Sequence, residues 1–314
     1  MPRPRLLAAL AAFALIVWLA PGATGAQSPQ VVRIASSPAE AYLQAFFAQD
    51  QGFFEKAGVN VDVQALATGA AVSDAVAGGA VDVGVATTIN LANAVARGLP
   101  FVMIAPGPMT TPKNPSGLLC IAKAATYKTA KDFEGQTIAV PALKQTADLG
   151  VRVWLAKGGA DISKVHIVEV PFAQMGPGLV RGAYAAATPS EPALTNALNS
   201  GEIRCIADVY GAIAPTYMFA AWFTTRDFAQ KNPDAVRKIA AALTEGGKWA
   251  NAHHFESAAI VSKINKLDVD TIRGEIRPVF AEQIRLSEVQ PQLDAAYTFG
   301  FLPRAVSASE LLAQ

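Results

Sequence analysis

Cysteine and histidine are scarce in this sequence, and their scarcity excludes several kinds of site. Two cysteines and three histidines occur among 314 residues. The two cysteines lie too far apart for the short spacings of a zinc site. His253 and His254 are adjacent, so on a helix they point in different directions, and His166 lies in a strand-like run. We therefore expect no metal ligands.

Signatures of nucleotide-dependent and hydrolytic enzymes are absent as well. The segment Gly246–Trp249 lacks the first glycine and the hydroxyl of a phosphate-binding loop. No Gly-x-Gly-x-x-Gly follows the first predicted strand, and no Gly-x-Ser-x-Gly elbow occurs. Paired carboxylates at a strand end are also missing. The sequence predicts a binding protein that is not an enzyme, with no catalytic residues and no cofactor.

The chain also lacks an excess of charge. It has 26 basic and 25 acidic residues, a net charge of +1. Removal of residues 1–26 takes away Arg3 and Arg5 and leaves 24 basic against 25 acidic residues. No basic block or tail remains, so nucleic acid and anionic membranes are not expected partners.

The first 26 residues have the pattern of a secretory signal. Arg3 and Arg5 precede the apolar run Leu6–Ala20, and the small residues Thr24–Ala26 follow it. A membrane anchor is the alternative, but the run is shorter than the ~20 apolar residues of a spanning helix. We expect cleavage near Ala26 and a periplasmic protein.

Cys120 and Cys205 both lie in apolar, strand-like runs. Two buried free thiols are the favoured interpretation. A disulfide is permitted in an oxidising compartment, although the sequence does not show that the two residues approach each other.

Short apolar runs with a period of two alternate with helix signals along the rest of the chain. The segment Ser37–Glu40 resembles a capping box with proline at the first helical position. In Gly78–Asn90 a strand leads into Thr87 and Thr88, which can cap the next helix at a strand's carboxyl end, where open α/β sheets bind ligands. That segment alone fits an ordinary buried strand equally well. The alternation of predicted strands and helices indicates parallel βαβ units.

A proline-rich segment divides this pattern into two series. Pro106–Pro115 predicts a loop or a crossing between lobes. From Asn232 the chain reads as helical, with further helices near 270–286 and 287–298. The predicted fold class is α/β, with two lobes, each a mainly parallel sheet flanked by helices, and a helical C-terminal segment. The predicted domains are a signal peptide (1–26), the first part of lobe 1 (27–110), lobe 2 (111–225), and the completion of lobe 1 with the C-terminal helices (226–314).

Four segments together resemble one family of exported solute-binding proteins. They are Tyr42 with Gln51–Val61, Gly78–Gly84, Asp132–Pro141 and Glu191-Pro192. In this order they are similar to motifs of the nitrate, sulfonate and taurine-binding components of ABC importers, within the thiamine-pyrimidine-synthase-like superfamily. The resemblance implies a type II periplasmic-binding fold whose closed form is recognised by a membrane permease with its ATPase. A monomer and a small, anionic, sulfonate-like or carboxylate-like solute are expected.

The sequence departs from the family pattern at two places. Tyr184 stands where the family usually has Asp, and Met175–Gly178 is rich in glycine and proline. The cysteine-rich iron motif of the related thiamine-pyrimidine synthases is absent. Two alternatives stay open beside the transport function: an exported enzyme related to those synthases, and a ligand sensor for a membrane receptor.

The family places ligand contacts on loops at the carboxyl ends of strands. Carried onto this sequence, these positions are Ser36, Ser37, Thr68, Gly69, Thr87, Thr88, Gln145, Thr146 and Glu191. Hydroxyls and helix N-termini offer hydrogen-bond donors without a full charge, which suits an anionic head group. Ser37 and Thr88 are also explained as helix caps, and Lys144 either adds charge to the site or faces solvent. Four aromatic residues are expected either to form an apolar wall of the site or to belong to the core: Tyr42, Phe172, Tyr184 and Tyr210.

Overall fold

Strands and helices alternate along residues 31–312, the part of the chain that the structure, a computed structural model, describes. The predicted signal peptide and its cleavage site lie outside the described residues. Among residues 31–312 no helix has the length and apolarity needed to cross a membrane.

Thirteen strands and thirteen α-helices are assigned within the described residues. The strands are β1 (Val32–Ser36), β2 (Val61–Ala65), β3 (Val83–Thr87), β4 (Phe101–Pro106), β5 (Pro108–Thr110), β6 (Leu118–Ala122), β7 (Thr137–Val140), β8 (His166–Glu169), β9 (Ala186–Ala187), β10 (Ile203–Asp208), β11 (Tyr217–Met218), β12 (Ala220–Thr225) and β13 (Val279–Phe280). The helices are α1 (Gln44–Asp50), α2 (Phe53–Lys56), α3 (Gly69–Ala77), α4 (Thr88–Ala96), α5 (Thr146–Lys157), α6 (Phe172–Val180), α7 (Ala193–Asn199), α8 (Val209–Ile213), α9 (Arg226–Lys231), α10 (Pro233–Ala252), α11 (His254–Asn265), α12 (Val269–Arg273) and α13 (Gln290–Thr298).

Two five-stranded sheets share one topology. Their orders are β2-β1-β3-β12-β4 and β8-β7-β9-β6-β10. In each sheet four strands run in the same direction, and one antiparallel strand, β12 or β6, lies in the fourth position between two of them. The chain passes to the second sheet after β4 and returns before β12, and each passage leads to the antiparallel strand. We call the first sheet with its helices lobe 1 and the second lobe 2.

This arrangement confirms the predicted two-lobe α/β fold class. The predicted lobe boundaries at 110/111 and 225/226 stay predictions, since the chain from Val31 onward packs as one compact unit. Strand β3 shows why the apolar runs fold as they do. It is buried on both faces, as expected of a central strand covered by helices. A Cβ on Gly84 would lie 2.5 Å from Val72, so the absence of a side chain lets α3 pack closely on β3.

Segment 106–115, predicted to be a loop or a crossing between lobes, leads from the first sheet to the second but also contains β5, which forms a small third sheet, β11-β5-β13. Strand β5 begins at Pro108, whose missing N–H is not needed there. Its carbonyl accepts the N–H of Phe219 at 3.1 Å.

Two predicted helices are also wrong in their extent. The first was expected to begin at Ser37, but a 3-10 turn occupies Glu40–Tyr42 and α1 begins only at Gln44. Glu40 forms a buried ion pair with Arg277 instead of completing a capping box. The helix predicted for 270–286 ends at Arg273, because Gly274 and Pro278 interrupt it and β13 follows.

The prediction of two free thiols is wrong. Cys120 and Cys205 form a disulfide, with their Cα atoms 3.8 Å apart. They are direct partners in the antiparallel pair β6 and β10. This register depends on how lobe 2 folds, so the sequence alone did not fix it.

Candidate functional site

The carboxyl ends of six strands, three from each lobe, open onto one cavity between the lobes. Its volume is about 1580 Å³. Lobe 1 contributes residues that follow β1, β2 and β3, and lobe 2 contributes residues that follow β7, β8 and β9. Of the predicted ligand positions, seven line the cavity: Ser37, Thr68, Gly69, Thr87, Gln145, Thr146 and Glu191. This is where open α/β sheets are expected to bind ligands.

On the lobe 1 wall, two threonines cap the helices that enter the cavity. The Thr68 hydroxyl accepts the N–H of Ala71 at 3.1 Å, at the start of α3. The Thr87 hydroxyl accepts the N–H of Asn90 at 3.2 Å, at the start of α4. Each cap satisfies one of the N–H groups that a helix leaves unpaired in its first turn. Part of the donor capacity of this wall is therefore already used.

On the lobe 2 wall, helix α5 begins without a side-chain cap. Its N-cap residue is Gln145, whose side chain makes no capping hydrogen bond. Lys144 takes a left-handed backbone with φ of 55°, and its N–H donates to Asp148 at 2.8 Å. Asp148 is itself buried and paired with Arg152 at 2.7 Å. This anchored turn directs the first turn of α5, with Thr146 and Ala147, into the cavity.

One hydrogen bond joins the two walls directly. The Thr87 hydroxyl donates to Gln145 Oε1 at 2.7 Å. The Gln145 amide oxygen is therefore used, and the Nε2 group of this cavity-lining residue remains available as a donor.

Gln292 is a residue that sequence reasoning missed. It lies on α13, which packs against both α4 and α5. The Thr88 hydroxyl donates to Gln292 Oε1, and Gln292 Nε2 donates to Thr146 Oγ1 at 2.9 Å. Because Thr146 accepts this bond, its own hydroxyl proton remains available to donate to another group. No local sequence signal identifies this contact.

Two predicted positions lie outside the cavity lining. Thr88 is fully buried and bonded to Gln292. Ser36 is also fully buried, and its hydroxyl has no hydrogen-bond partner among the described residues. Ser37 does line the cavity, and it does not act as a cap because the N-cap of the first turn is Ala39.

Glu191 is held firmly in the cavity wall. Its carboxylate accepts hydrogen bonds from Thr195 N at 2.9 Å, Thr195 Oγ1 at 3.0 Å and Ile276 N at 3.2 Å. Burial raises the pKa of this carboxyl, and the hydrogen bonds oppose that shift. Glu191 therefore orders the start of α7 and connects lobe 2 to the chain before β13.

Aromatic rings form an apolar part of the wall. Tyr42, Phe172 and Tyr210 line the cavity. Burial raises the pKa of Tyr42 to about 12, so its phenol stays neutral at ordinary pH. Tyr184 is not part of the lining. Its hydroxyl donates to backbone carbonyls of α6, with 2.8 Å to the oxygen of Met175.

Charged side chains in the lining lie mainly at the rim. Three exposed carboxylates and one exposed guanidinium line the cavity besides Glu191: Asp74, Glu169, Glu202 and Arg181. Lys144 is exposed and is not part of the lining. Within residues 31–312 no group of three or more acidic, histidine or cysteine side chains is placed to hold a metal ion.

Two lobes of one topology around a cavity at the strand ends define a periplasmic-binding fold. The family model described as "NMT1/THI5 like" matches residues 41–257. The chain belongs to this family, which confirms the family resemblance seen in the sequence. No curated protein matches the sequence.

Solved structures with this fold include binding proteins for small solutes. The periplasmic aliphatic sulphonate binding protein SsuA from Escherichia coli is 20% identical, with a TM-score of 0.77 over 91% of this chain and 98% of that chain. The alkanesulfonate-binding protein SsuA from Xanthomonas axonopodis pv. citri, bound to MOPS, is 16% identical, with a TM-score of 0.72 over 90% and 98%. The periplasmic nitrate-binding protein NrtA from Synechocystis PCC 6803 is 17% identical, with a TM-score of 0.73 over 90% and 84%. At these identities the likeness establishes the fold.

Proposed function

We propose that this protein is the periplasmic substrate-binding component of an ABC import system. It captures a small organic anion, of the sulfonate or carboxylate class, between its lobes and delivers it to a membrane permease with its ATPase. The observation that carries this proposal is the uncapped first turn of α5 inside the cavity. Membership of the NMT1/THI5-like family and the sulfonate-binding and nitrate-binding proteins of the same fold support it.

The α5 N-terminus supplies an anion site without a full charge. The first N–H groups of a helix have no intrahelical partner, and the helix dipole places about half a positive charge there. Gln145 Nε2 and the Thr146 hydroxyl add donors next to this turn, since Gln145 Oε1 and Thr146 Oγ1 already accept hydrogen bonds. An anionic head group accepts from several of these donors at once.

The rest of the cavity suits a solute with an apolar body. Tyr42, Phe172 and Tyr210 provide flat, largely apolar surfaces beside the donors. The volume of about 1580 Å³ exceeds the range of about 300–1,000 Å³ typical of ligand pockets. An open cleft that shrinks when the lobes close by a hinge motion explains this excess.

The acidic rim is compatible with an anionic head group at α5. Asp74, Glu169 and Glu202 are exposed, so salt and water screen their charges at distances beyond about 10 Å. These carboxylates select against anions with a second negative charge at the other end. We therefore expect monoanions to bind better than dianions of the same length.

A binding panel tests the proposal. Thermal shift and calorimetry with matched C2–C6 alkanesulfonates, carboxylates, alkylamines and nitrate are expected to show stabilisation by at least one organic monoanion. At a hundredfold excess over Kd this amounts to about 2.7 kcal/mol. No stabilisation by any anion, or stabilisation by the amines, contradicts the proposed ligand class.

A substitution at the N-cap of α5 locates the site. Gln145→Asp places a carboxylate that caps the helix and repels an anion, so binding is expected to be lost while stability is kept. The matched control Thr68→Asp caps α3 on the opposite wall and is expected to weaken binding less. Equal losses in both variants contradict a head-group site at α5.

Export of the protein and delivery of the solute to a permease are tested by separate measurements. Cell fractionation is expected to find the mature chain, starting near residue 27, in the periplasm. Uptake of the stabilising anion is expected to depend on this protein and on a permease. A mature chain that stays in the cytoplasm contradicts the proposed location.

A further inference from the structure

A buried glutamine bonds to the first residues of two helices that enter the cleft. Gln292 lies on α13, which packs against α4 of lobe 1 and α5 of lobe 2, and it is fully buried. The Thr88 hydroxyl donates to Gln292 Oε1, and Gln292 Nε2 donates to Thr146 Oγ1 at 2.9 Å. Thr88 and Thr146 are the first residues of α4 and α5. One side chain on a third helix therefore connects a helix start of each lobe.

A direct contact between the same two helices lies one residue earlier in each. The Thr87 hydroxyl donates to Gln145 Oε1 at 2.7 Å, and these residues are the N-caps of α4 and α5. The two helix starts are thus joined at two successive positions, directly at the N-caps and through Gln292 at the first helical residues. One contact fixes a distance, whereas two also restrict the rotation of one helix start against the other. The first turn of α5 is therefore held in place from lobe 1 and from α13.

The amide of Gln292 suits this position because it combines an acceptor with donors. Its oxygen and its nitrogen each bond to a different threonine. Loss of either bond leaves a buried polar group without a partner, which costs free energy. Methionine has a similar length and would fill the same space without strong hydrogen bonds. Because filling the space does not require an amide, the amide indicates that Gln292 holds the two helix starts.

Gln292 is also uncharged, which matters beside the positive end of α5. The helix dipole places about half a positive charge at that end. Asp148 in the first turn of α5 is buried and paired with Arg152 at 2.7 Å, α4 carries no ionisable side chain, and Asp294 on α13 is exposed. A carboxylate in place of the Gln292 amide would therefore add a negative charge within hydrogen-bonding distance of Thr146. That charge would weaken the attraction of a second anion to α5.

We propose that Gln292 is a positioning residue of the anion site at α5. Its amide holds the first turn of α5 against the start of α4, and its neutrality leaves the positive end of α5 available to the head group of a solute. Gln292 is not in the cavity lining, so it acts through Thr146, which is. This inference rests on the proposed function, because it assumes that the head group binds at α5.

A charge variant tests the electrostatic part of this proposal. The Kd for the C2–C6 alkanesulfonates, which stay ionised, is measured from pH 8 to pH 4 in the wild type and in Gln292→Glu. At pH 8 the carboxylate of the variant is expected to raise Kd roughly tenfold or more. Protonation of this carboxyl at lower pH restores a neutral side chain with a donor, so the ratio of the two Kd values is expected to fall toward one. A variant that had lost only packing would not recover in this way.

The matched control is Gln290→Glu, which adds the same charge to the same helix. The Gln290 side chain bonds to Asp294, Val306 and Ala308 in place of the two helix starts. Its Kd values are expected to stay within about twofold of the wild type at every pH, because the added charge is partly screened. A Kd ratio for Gln292→Glu that stays near one, or that does not fall with pH, overturns the proposal.

Hydrogen exchange of the ligand-free protein tests the positioning itself and does not depend on the proposed function. Gln292→Met is expected to speed amide exchange at the starts of both α4 and α5 roughly tenfold, whereas Gln290→Met is expected to leave both unchanged. Unchanged exchange in Gln292→Met overturns the proposal even if alkanesulfonates bind to the wild type. Faster exchange at both helix starts, in a protein whose wild type binds no anion, supports the positioning of α5 by Gln292 and contradicts the proposed function.

Discussion

The two walls of the cleft have the same topology and different chemistry at their helix starts. In lobe 1, Thr68 and Thr87 cap α3 and α4 with their own hydroxyls. In lobe 2, Gln145 and Pro171 precede α5 and α6 and make no side-chain caps. The shared strand order brings both sets of helix N-termini to one cavity. The fold therefore decides where donors lie, and the N-cap residue decides whether they are available to a ligand.

The lobes also differ in the side-chain interactions that connect the strands of their sheets. Cys120 and Cys205 form a disulfide between adjacent strands of lobe 2. In lobe 1, Arg33 makes two side-chain hydrogen bonds to Asp82, of 3.0 and 2.7 Å. This pair explains Asp82 of the segment Gly78–Gly84 as a structural residue that joins β1 to the chain before β3.

Removal of the disulfide is expected to have the largest effect on stability. The bridge closes a chain segment of 85 residues, and loss of such a constraint destabilises a protein by about 2–4 kcal/mol. Chemical denaturation of Cys120→Ala/Cys205→Ala measures the change. Arg33→Ala in lobe 1 is expected to lose about 1 kcal/mol or less, since the pair is partly exposed. The reverse order contradicts this difference between the lobes.

Added methyl groups at two close helix contacts are expected to have the next largest effect. A Cβ on Gly150 of α5 would lie 2.6 Å from the backbone oxygen of Val209, whereas one on Gly84 would meet the movable side chain of Val72. Overpacking costs typically 1–3 kcal/mol, and we expect Gly150→Ala to lie at the upper end. A control needs open space around the added methyl group. Gly201 has that space, but its positive φ would strain the backbone of any other residue. Gly69→Ala is suitable, since nothing lies within 4 Å, and no loss of stability is expected there.

Removal of a helix cap is expected to have the smallest effect on the free energy of unfolding. Thr87→Ala removes the cap of α4 and is expected to reduce the free energy of unfolding by about 1 kcal/mol, whereas Thr87→Ser keeps it. Gln145→Ala removes no cap, although it too breaks the contact between Thr87 and Gln145. Urea denaturation of the three variants measures the difference. A loss for Gln145→Ala as large as for Thr87→Ala contradicts the comparison of the walls.

Local patterns predicted the parts of the site that depend on neighbours in sequence. The strand–Thr–helix pattern located Thr68 and Thr87 because a cap interacts within three residues. The remaining features of the site and fold depend on contacts between residues that are far apart in sequence. Ser37 has the sequence of a helix start, but Glu40 is bound by Arg277, 237 residues away. Gln292 and the pairing of Cys120 with Cys205 likewise depend on tertiary packing and strand register.

The most direct test of the anion site at α5 is a crystal structure with the organic monoanion that stabilises the protein most. We expect its head group within hydrogen-bonding distance of the amide nitrogens of Thr146 and Ala147 and of Gln145 Nε2, with the lobes closed around it. A head group bound only to the capped helices of lobe 1, or a solute whose cationic group contacts Glu191, would contradict this site.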